Sequence, residues 1–243
     1  MSRPFAVFDV DGTIARSSLL QLIVRELANR GHVSVGTAIA IEKLLNDYRQ
    51  RISDDTFGAF MKKAVEMMFA DMPAGLRSSE YDIAVQTVVS ESIPNRYLYT
   101  SELVKSLKTR GYFVIAISGS EFRAVENFAR ALDFDAWLGA VKYRELGGMI
   151  TNNIEVVPYK KNEILRGMIH KFDLDAANSI AVGDTSSDIP MFEMVSQPIC
   201  FNPNQALFKA ARERGWMIVI ERKDMIYGLT KDGDHYTVST TNV

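Results

Sequence analysis

The chain carries one cysteine, Cys200, in 243 residues. A single thiol excludes an intramolecular disulfide and a zinc cluster built on cysteines. Set in Pro-Ile-Cys-Phe, it reads as a buried strand residue rather than a reactive thiol. No uninterrupted apolar run approaches the ~20 residues of a membrane-spanning helix. Neither charge is in excess: 28 Lys and Arg stand against 30 Asp and Glu, and the pI near 6.0 gives no hint of nucleic-acid binding. Internal repeats and low-complexity segments are also missing. The first strand begins by Phe5, leaving no room for a signal peptide, so a soluble cytoplasmic protein is expected. What remains, 47% hydrophobic and 24% charged, suits one large domain or a core with an insertion.

What is present is organised around Phe5-Ala-Val-Phe-Asp-Val-Asp-Gly-Thr. Phe5 to Phe8 read as a buried parallel strand, and the polar residues begin where that run stops. In an open α/β sheet, ligands bind outside the carboxyl ends of the strands. Asp9 and Asp11 sit two apart, and alternate residues of an extended chain point the same way, so both carboxylates can converge on one volume. Their repulsion is relieved by a divalent cation or by holding one of them protonated. Gly12 allows a turn close to a ligand, and Thr13 adds a hydroxyl and a backbone N–H. Asp-x-Asp-Gly also opens calcium loops, but an EF-hand needs Glu at the twelfth position, and the twelfth residue from Asp9 is Leu20. The site must be completed from far along the chain.

Helical patterns follow the first strand. Ser17 and Ser18 can cap a helix carrying Leu19, Leu20, Ile23, Val24, Leu27 and Ala28 and ending at Gly31. Further apolar-periodic segments run over Ser34–Gln50, Asp54–Ala70 and Arg77–Glu91. Together they predict a helical insertion over residues 16–93. From Pro94 onward helices and strands alternate. Strands are expected at Tyr112–Ile117, Ala136–Val141, Ser179–Val182, Pro198–Phe201 and Met217–Ile220, with a hairpin turn at Leu146-Gly147-Gly148-Met149. Helices are expected at Tyr97–Arg110, Glu121–Leu132, from Lys161, at Ile189–Val195 and at Gln205–Arg214. Such alternation predicts an α/β fold with a parallel sheet covered on both faces. The core would comprise residues 1–15 and 94–243. The polar tail from Lys223 carries a possible turn at Asp232-Gly233-Asp234.

Other strand ends carry polar clusters. The run through Ile117 ends in Ser118-Gly119-Ser120, where a hydroxyl and backbone N–H groups ahead of a helix make an anion cradle. The run through Val182 ends in Gly183-Asp184-Thr185-Ser186-Ser187-Asp188. Asp184 is placed to be a metal ligand opposite Asp9, and Asp188 is equally a helix cap. Lys160 and Lys161 face the positive end of the next helix, where a cation is unfavourable unless an anion lies nearby. Lys161 is the better candidate, because Ile164, Leu165 and Met168 follow it at +3, +4 and +7 on the helix face.

In this order and spacing, the four clusters resemble the haloacid dehalogenase-like phosphatases over nearly the whole chain, including a helical cap between the first and second motifs. Lys161-Asn-Glu-Ile-Leu, Ile180-Ala-Val-Gly-Asp, Asp188-Ile-Pro-Met-Phe and Phe201-Asn-Pro-Asn-Gln-Ala-Leu look like the phosphoserine phosphatase-like branch. The resemblance implies a Rossmann-like core and an aspartyl-phosphate mechanism in which Asp9 is the nucleophile and Asp11 the general acid and base. It implies Mg2+ held by Asp9, the Asp11 carbonyl and Asp184. Ser118, the backbone about Gly119 and Thr13 would hold phosphate oxygens, Thr13 also supporting its own loop and helping to position Asp11; Lys161 would bind phosphate and neutralise charge, and Asp188 would orient Lys161 or a metal-bound water.

The implied substrate is a small phosphorylated metabolite, with no nucleic-acid or membrane partner. Two departures count against phosphoserine itself. The Glu that meets the substrate amine in that branch corresponds to Ser18, and the Arg for its carboxylate has no clear counterpart, Ala64 falling closest. Arg16, Ser18, Lys62 and Lys63 are the candidates for substrate contacts, against the reading that they are solvated cap residues. Phosphoserine phosphatase proper, a phosphotransferase and a non-catalytic binding protein are the alternatives.

Overall fold

Four of the six residues of the first strand, β1 (Arg3–Phe8), are fully buried: Phe5 and Val7 face one side of the sheet, Ala6 and Phe8 the other. A strand covered on both faces needs no polar alternation, which is why it reads as a continuous apolar run. The computed structural model describes residues 2–50, 63–64, 66–68, 70–71, 76–156, 160–233 and 235–240.

Strand β1 pairs in parallel with β2 (Phe113–Glu121) on one side and β5 (Leu174–Gly183) on the other. Beyond β2 come β3 (Ala136–Leu146), parallel, and β4 (Met149–Val156), antiparallel. Beyond β5 come β6 (Gln197–Phe201) and β7 (Met217–Arg222), both parallel. The tail adds β8 (Met225–Asp232) and β9 (His235–Thr240), giving a nine-stranded sheet in the order β4-β3-β2-β1-β5-β6-β7-β8-β9. The expected parallel sheet is therefore present with antiparallel edges, and the tail extends it. The direction of winding reverses at β1, so a crevice opens at its carboxyl end.

On the Ala6–Phe8 face lie α1 (Leu19–Asn29), α2 (Val35–Arg49), α3 (Ser78–Ser92), α4 (Leu98–Thr109) and α5 (Phe122–Ala131). The opposite face is covered by α6 (Lys161–Phe172), the one-turn α7 (Ile189–Phe192) and α8 (Gln205–Arg214). The inserted helices share the apolar core of the sheet. Tyr81 of α3 is fully buried edge-to-face against Tyr143 of β3, with centroids 5.1 Å apart and the hydroxyls 3.0 Å apart. Ile150 donates its N–H to Leu76 at 2.9 Å, and Ser78 to Gly148 at 2.9 Å, so the β3–β4 hairpin also grips the insertion. In that hairpin Gly147 and Gly148 both have positive φ, +59° and +76°, as a two-residue turn of this hand requires.

One expectation falls largely outside the described residues, and the structure departs from the sequence reading in two places. The helix expected at Asp54–Ala70 lies largely outside the described residues; those described between 63 and 71 are helical, with Ala64 and Met68 buried. Ser118-Gly119-Ser120 is not a turn after the strand: β2 runs to Glu121 with irregular register between Ser118 and Glu121, because β3 continues alongside it. The helix expected over Ile189–Val195 shortens to a 3-10 turn at Ser186–Asp188 and one α-turn, since Met194 and Val195 bond three residues back, to Met191 and Phe192.

Candidate active site

Beyond Phe8 the chain remains tied to the sheet, because the Asp9 N–H donates to Val182 at 2.9 Å. It then folds tightly. The Val10 carbonyl accepts from the N–H groups of Thr13, Ile14 and Ala15 at 3.2, 2.9 and 2.9 Å, and Gly12 turns the corner at φ +83°. A Cβ on Gly12 would collide with the Asp184 carboxylate, so both the backbone angle and the close approach require glycine.

Four elements meet at this turn. Lys161, the first residue of α6, is 2% exposed; its ammonium donates to Asp9 Oδ1 at 2.6 Å and to Asp188 Oδ1. Asp188 Oδ2 accepts the backbone N–H groups of Asp184 and Thr185, each at 3.0 Å. The Thr13 hydroxyl lies 3.3 Å from both Asp9 Oδ2 and Asp184 Oδ1, and its single proton serves one of them at a time. Asp9, Asp184 and Asp188 each bring one carboxylate oxygen within 4.8 Å of the others.

Three carboxylates thus face one ammonium. Burial pushes Asp9 up to about 7 against the pull of Lys161, and the charge of Asp188 adds to the rise. Asp184 is raised well above the carboxylate range by burial, then by the charges of Asp9 and Asp188. A divalent cation would relieve this excess, and the donor set of hard oxygens suits magnesium or calcium. Both oxygens of Asp188 are engaged by Lys161 and backbone N–H groups, whereas Asp184 takes one hydrogen bond, from Thr13, among the described residues. Asp184 is therefore the side chain best placed to hold such an ion, with Asp9 Oδ2 beside it, whose donor Thr13 is shared with Asp184.

Asp11 does not point into this cluster. Its Oδ1 accepts the Leu19 N–H at 3.1 Å, at the start of α1, and its Oδ2 accepts the Ser120 hydroxyl at 2.5 Å. Burial raises it as well, opposed first by those two hydrogen bonds and then by the nearby Ser18 hydroxyl and the Lys161 charge. The alternation that was to bring Asp9 and Asp11 together ends with the strand, since the turn about Gly12 follows at once. Ser118 is fully buried on β2, and its hydroxyl oxygen accepts the Ser120 N–H at 3.0 Å; Gly119 lies between them in the same strand. Ser120 is the site residue that sequence reasoning passed over. Its signal was a second hydroxyl two positions beyond Ser118, on the same side of an extended chain.

The remaining sequence candidates fall in different places. Ser18 stands at the N-cap of α1, 5% exposed, with a hydroxyl that has no hydrogen-bond partner among the described residues. Arg16 pairs with Glu221 at 2.6 Å and lies over the Tyr97 ring, 4.3 Å from its centroid. The same Glu221 accepts the Leu98 and Tyr99 N–H groups at 3.2 and 2.9 Å, so it ties both crossings of the insertion to the end of β7. Lys63 is exposed, and Lys62 lies outside the described residues.

Comparison with known proteins finds relatives over most of the chain. The family described as haloacid dehalogenase-like hydrolase matches residues 6–193. The phosphoserine phosphatase of Methanocaldococcus jannaschii is 27% identical over 222 residues, spanning 90% of this chain and 92% of that protein. The "inhibition of morphological differentiation protein" of Streptomyces azureus is 28% identical over 142 residues, 56% of this chain and about half of that protein, 51%. Among solved structures, a phospho-aspartyl intermediate analogue of phosphoserine phosphatase superposes with a TM-score of 0.65 at 22% identity, covering 92% of this chain and 95% of that one. At that identity the likeness establishes the fold.

Proposed function

Because this chain belongs to the haloacid dehalogenase-like hydrolases, we propose that it is a magnesium-dependent phosphatase of a small phosphate monoester, acting through an aspartyl phosphate on Asp9. One observation carries the reading: the buried Asp9 carboxylate, at the carboxyl end of the central strand, is held by Lys161 with Asp184 opposite.

In this mechanism Asp9 attacks phosphorus, a new P–O bond forms to its carboxylate, and the bond to the alcohol oxygen breaks. Asp11 gives a proton to the departing alcohol. It then takes one from the water that hydrolyses the aspartyl phosphate, which returns Asp9 and releases inorganic phosphate. Lys161 keeps Asp9 in line and offsets charge on the transferring group; Asp188 holds Lys161. Ser118 and the neighbouring backbone, with Thr13, receive phosphate oxygens. Magnesium, held by Asp9, Asp184 and the Asp11 carbonyl, would supply electrostatic stabilisation of the phosphoryl oxygens.

The proposed domain division is a catalytic core of residues 1–15 and 94–243 and a cap of residues 16–93. The substrate is proposed to be a metabolite other than phosphoserine, since by the resemblance Ser18 takes the place of that branch's amine-binding Glu and its carboxylate-binding Arg has no clear counterpart, Ala64 falling closest. Phosphoserine itself is the second reading, favoured by the name of the Methanocaldococcus relative. The test is phosphate release from a panel of phosphorylated metabolites, phosphoserine included, in magnesium and then in EDTA. Magnesium-dependent release concentrated on one compound supports the reading and supplies the substrate; no release from any member of the panel counts against it.

A further inference from the structure

We propose that Ser120 is a positioning residue for Asp11, its hydroxyl fixing the carboxylate that handles the proton in the phosphatase reaction. This rests on the function proposed above and adds a residue outside the motif positions that suggested it.

Ser120 is fully buried, and its hydroxyl donates to Asp11 Oδ2 at 2.5 Å, the length of a strong bond to a carboxylate. Nothing else on β2 does this: the hydroxyl oxygen of Ser118 accepts the Ser120 N–H at 3.0 Å. Ser120 is itself held on both sides. That N–H bond ties it to Ser118, and the next residue, Glu121, caps α5 by accepting the Ala124 N–H at 2.9 Å. The register of β2 against β3 shifts between Ser118 and Glu121, the stretch that carries Ser120.

Asp11 consequently has one donor on each oxygen, Leu19 N–H on Oδ1 and Ser120 on Oδ2. Two donors on different elements fix the plane of a carboxylate, whereas one lets it turn about its Cα–Cβ bond. The donor on Oδ1 is a backbone group, which a side-chain substitution other than proline leaves in place. The Ser120 hydroxyl is thus the foremost side-chain determinant of where the Asp11 proton sits, with the Ser18 hydroxyl a weaker one. Proton transfer depends steeply on such placement, while the groups assigned to phosphate binding do not include Ser120. Its loss is expected to lower kcat and to spare KM.

The probe is p-nitrophenyl phosphate with Mg2+, followed on the full chain. Ser120→Ala is expected to lower kcat by ~10-fold or more, a part of the ~10²–10⁴ that general acid–base groups contribute, with KM within about twofold. Ser120→Thr, which restores the hydroxyl, is expected to recover most of the loss. The discriminating measurement repeats Ser120→Ala in an Asp11→Asn background. A residue acting through Asp11 has less than about a twofold effect there, by the logic of a double-mutant cycle. An equal loss in both backgrounds, or full kcat in the single variant, overturns the role. Should Ser120→Ala fail to fold, Ser120→Cys, closer in volume and a weak donor, carries the same expectation. Absence of turnover by the unaltered protein sinks the phosphatase reading, and this role with it; turnover that Asp9→Asn abolishes leaves that reading standing whatever Ser120→Ala does.

Discussion

Lys161 donates to Asp9 at 2.6 Å across 152 residues of sequence, and the same ammonium also serves Asp188. Removing one partner of a buried pair leaves the other charge uncompensated, at a cost of about 3–5 kcal/mol. Lys161→Met should therefore abolish turnover and destabilise the fold by an amount of that order at pH 8. The loss should shrink as the pH falls, because Asp9, raised by burial to about 7, can then protonate. Urea unfolding of variant and parent at pH 5.5 and 8 measures both. Equal stability at pH 8 would mean that the ammonium contributes nothing net.

Asp9→Asn keeps the shape of the side chain and removes its nucleophilic oxygen. Turnover should fall at least ~10³-fold, as expected for removing a covalent nucleophile. The unfolding midpoint should stay within a few degrees, since Lys161 retains Asp188. Turnover at the parental rate would sink the assignment of Asp9 as nucleophile.

The parts of this site that were legible in the sequence are those set by local rules. Phe5–Phe8 announces a strand buried on both faces. Lys161 is legible because the apolar positions at +3, +4 and +7 place it on the inward face of a helix, and it is indeed 2% exposed. The Asp11–Ser120 bond was not legible, because it depends on how β2 distorts beside β3 and on the direction of two side chains. Nor was the Arg16–Glu221 pair, which spans 205 residues and binds a residue that local pattern reads as a free cap cation. The inserted helices were legible as helices. Their shared core with the sheet was not, since Tyr81 meets Tyr143 only after the chain has folded back.

The excess of negative charge beside Gly12 predicts a metal response that needs no turnover to detect. Mg2+ should raise the unfolding midpoint and EDTA should reverse it. Binding at 100 times Kd contributes about 2.7 kcal/mol, or several degrees for a chain of this size. Asp184→Asn should lose most of that response. In EDTA it should be as stable as the parent or more so, because one of three mutually repelling carboxylates is gone. A full magnesium shift in Asp184→Asn would place the ion elsewhere.

Glu121 offers a prediction away from the reacting groups. It is 1% exposed, caps α5 through Ala124, and has one carboxylate oxygen, Oε1, without a partner among the described residues. Burial pushes it up to about 7 from an ordinary 4.5, with the backbone N–H groups of Arg123 and Ala124 and then the Arg123 charge pulling the other way. Between those two values the native state binds the extra proton. Stability from this group is therefore fully present below pH 4.5, declines as the pH rises toward 7, and is level above that. Glu121→Gln keeps an acceptor for the α5 cap and cannot ionise, so it lacks this slope. Relative to the parent, its unfolding midpoint should move upward by several degrees between pH 5 and pH 8, on the order of 1–3 kcal/mol. Taking the difference between the two proteins cancels every other titrating group. Parallel midpoint curves from pH 5 to pH 8 would show that Glu121 is ionised in the native state throughout.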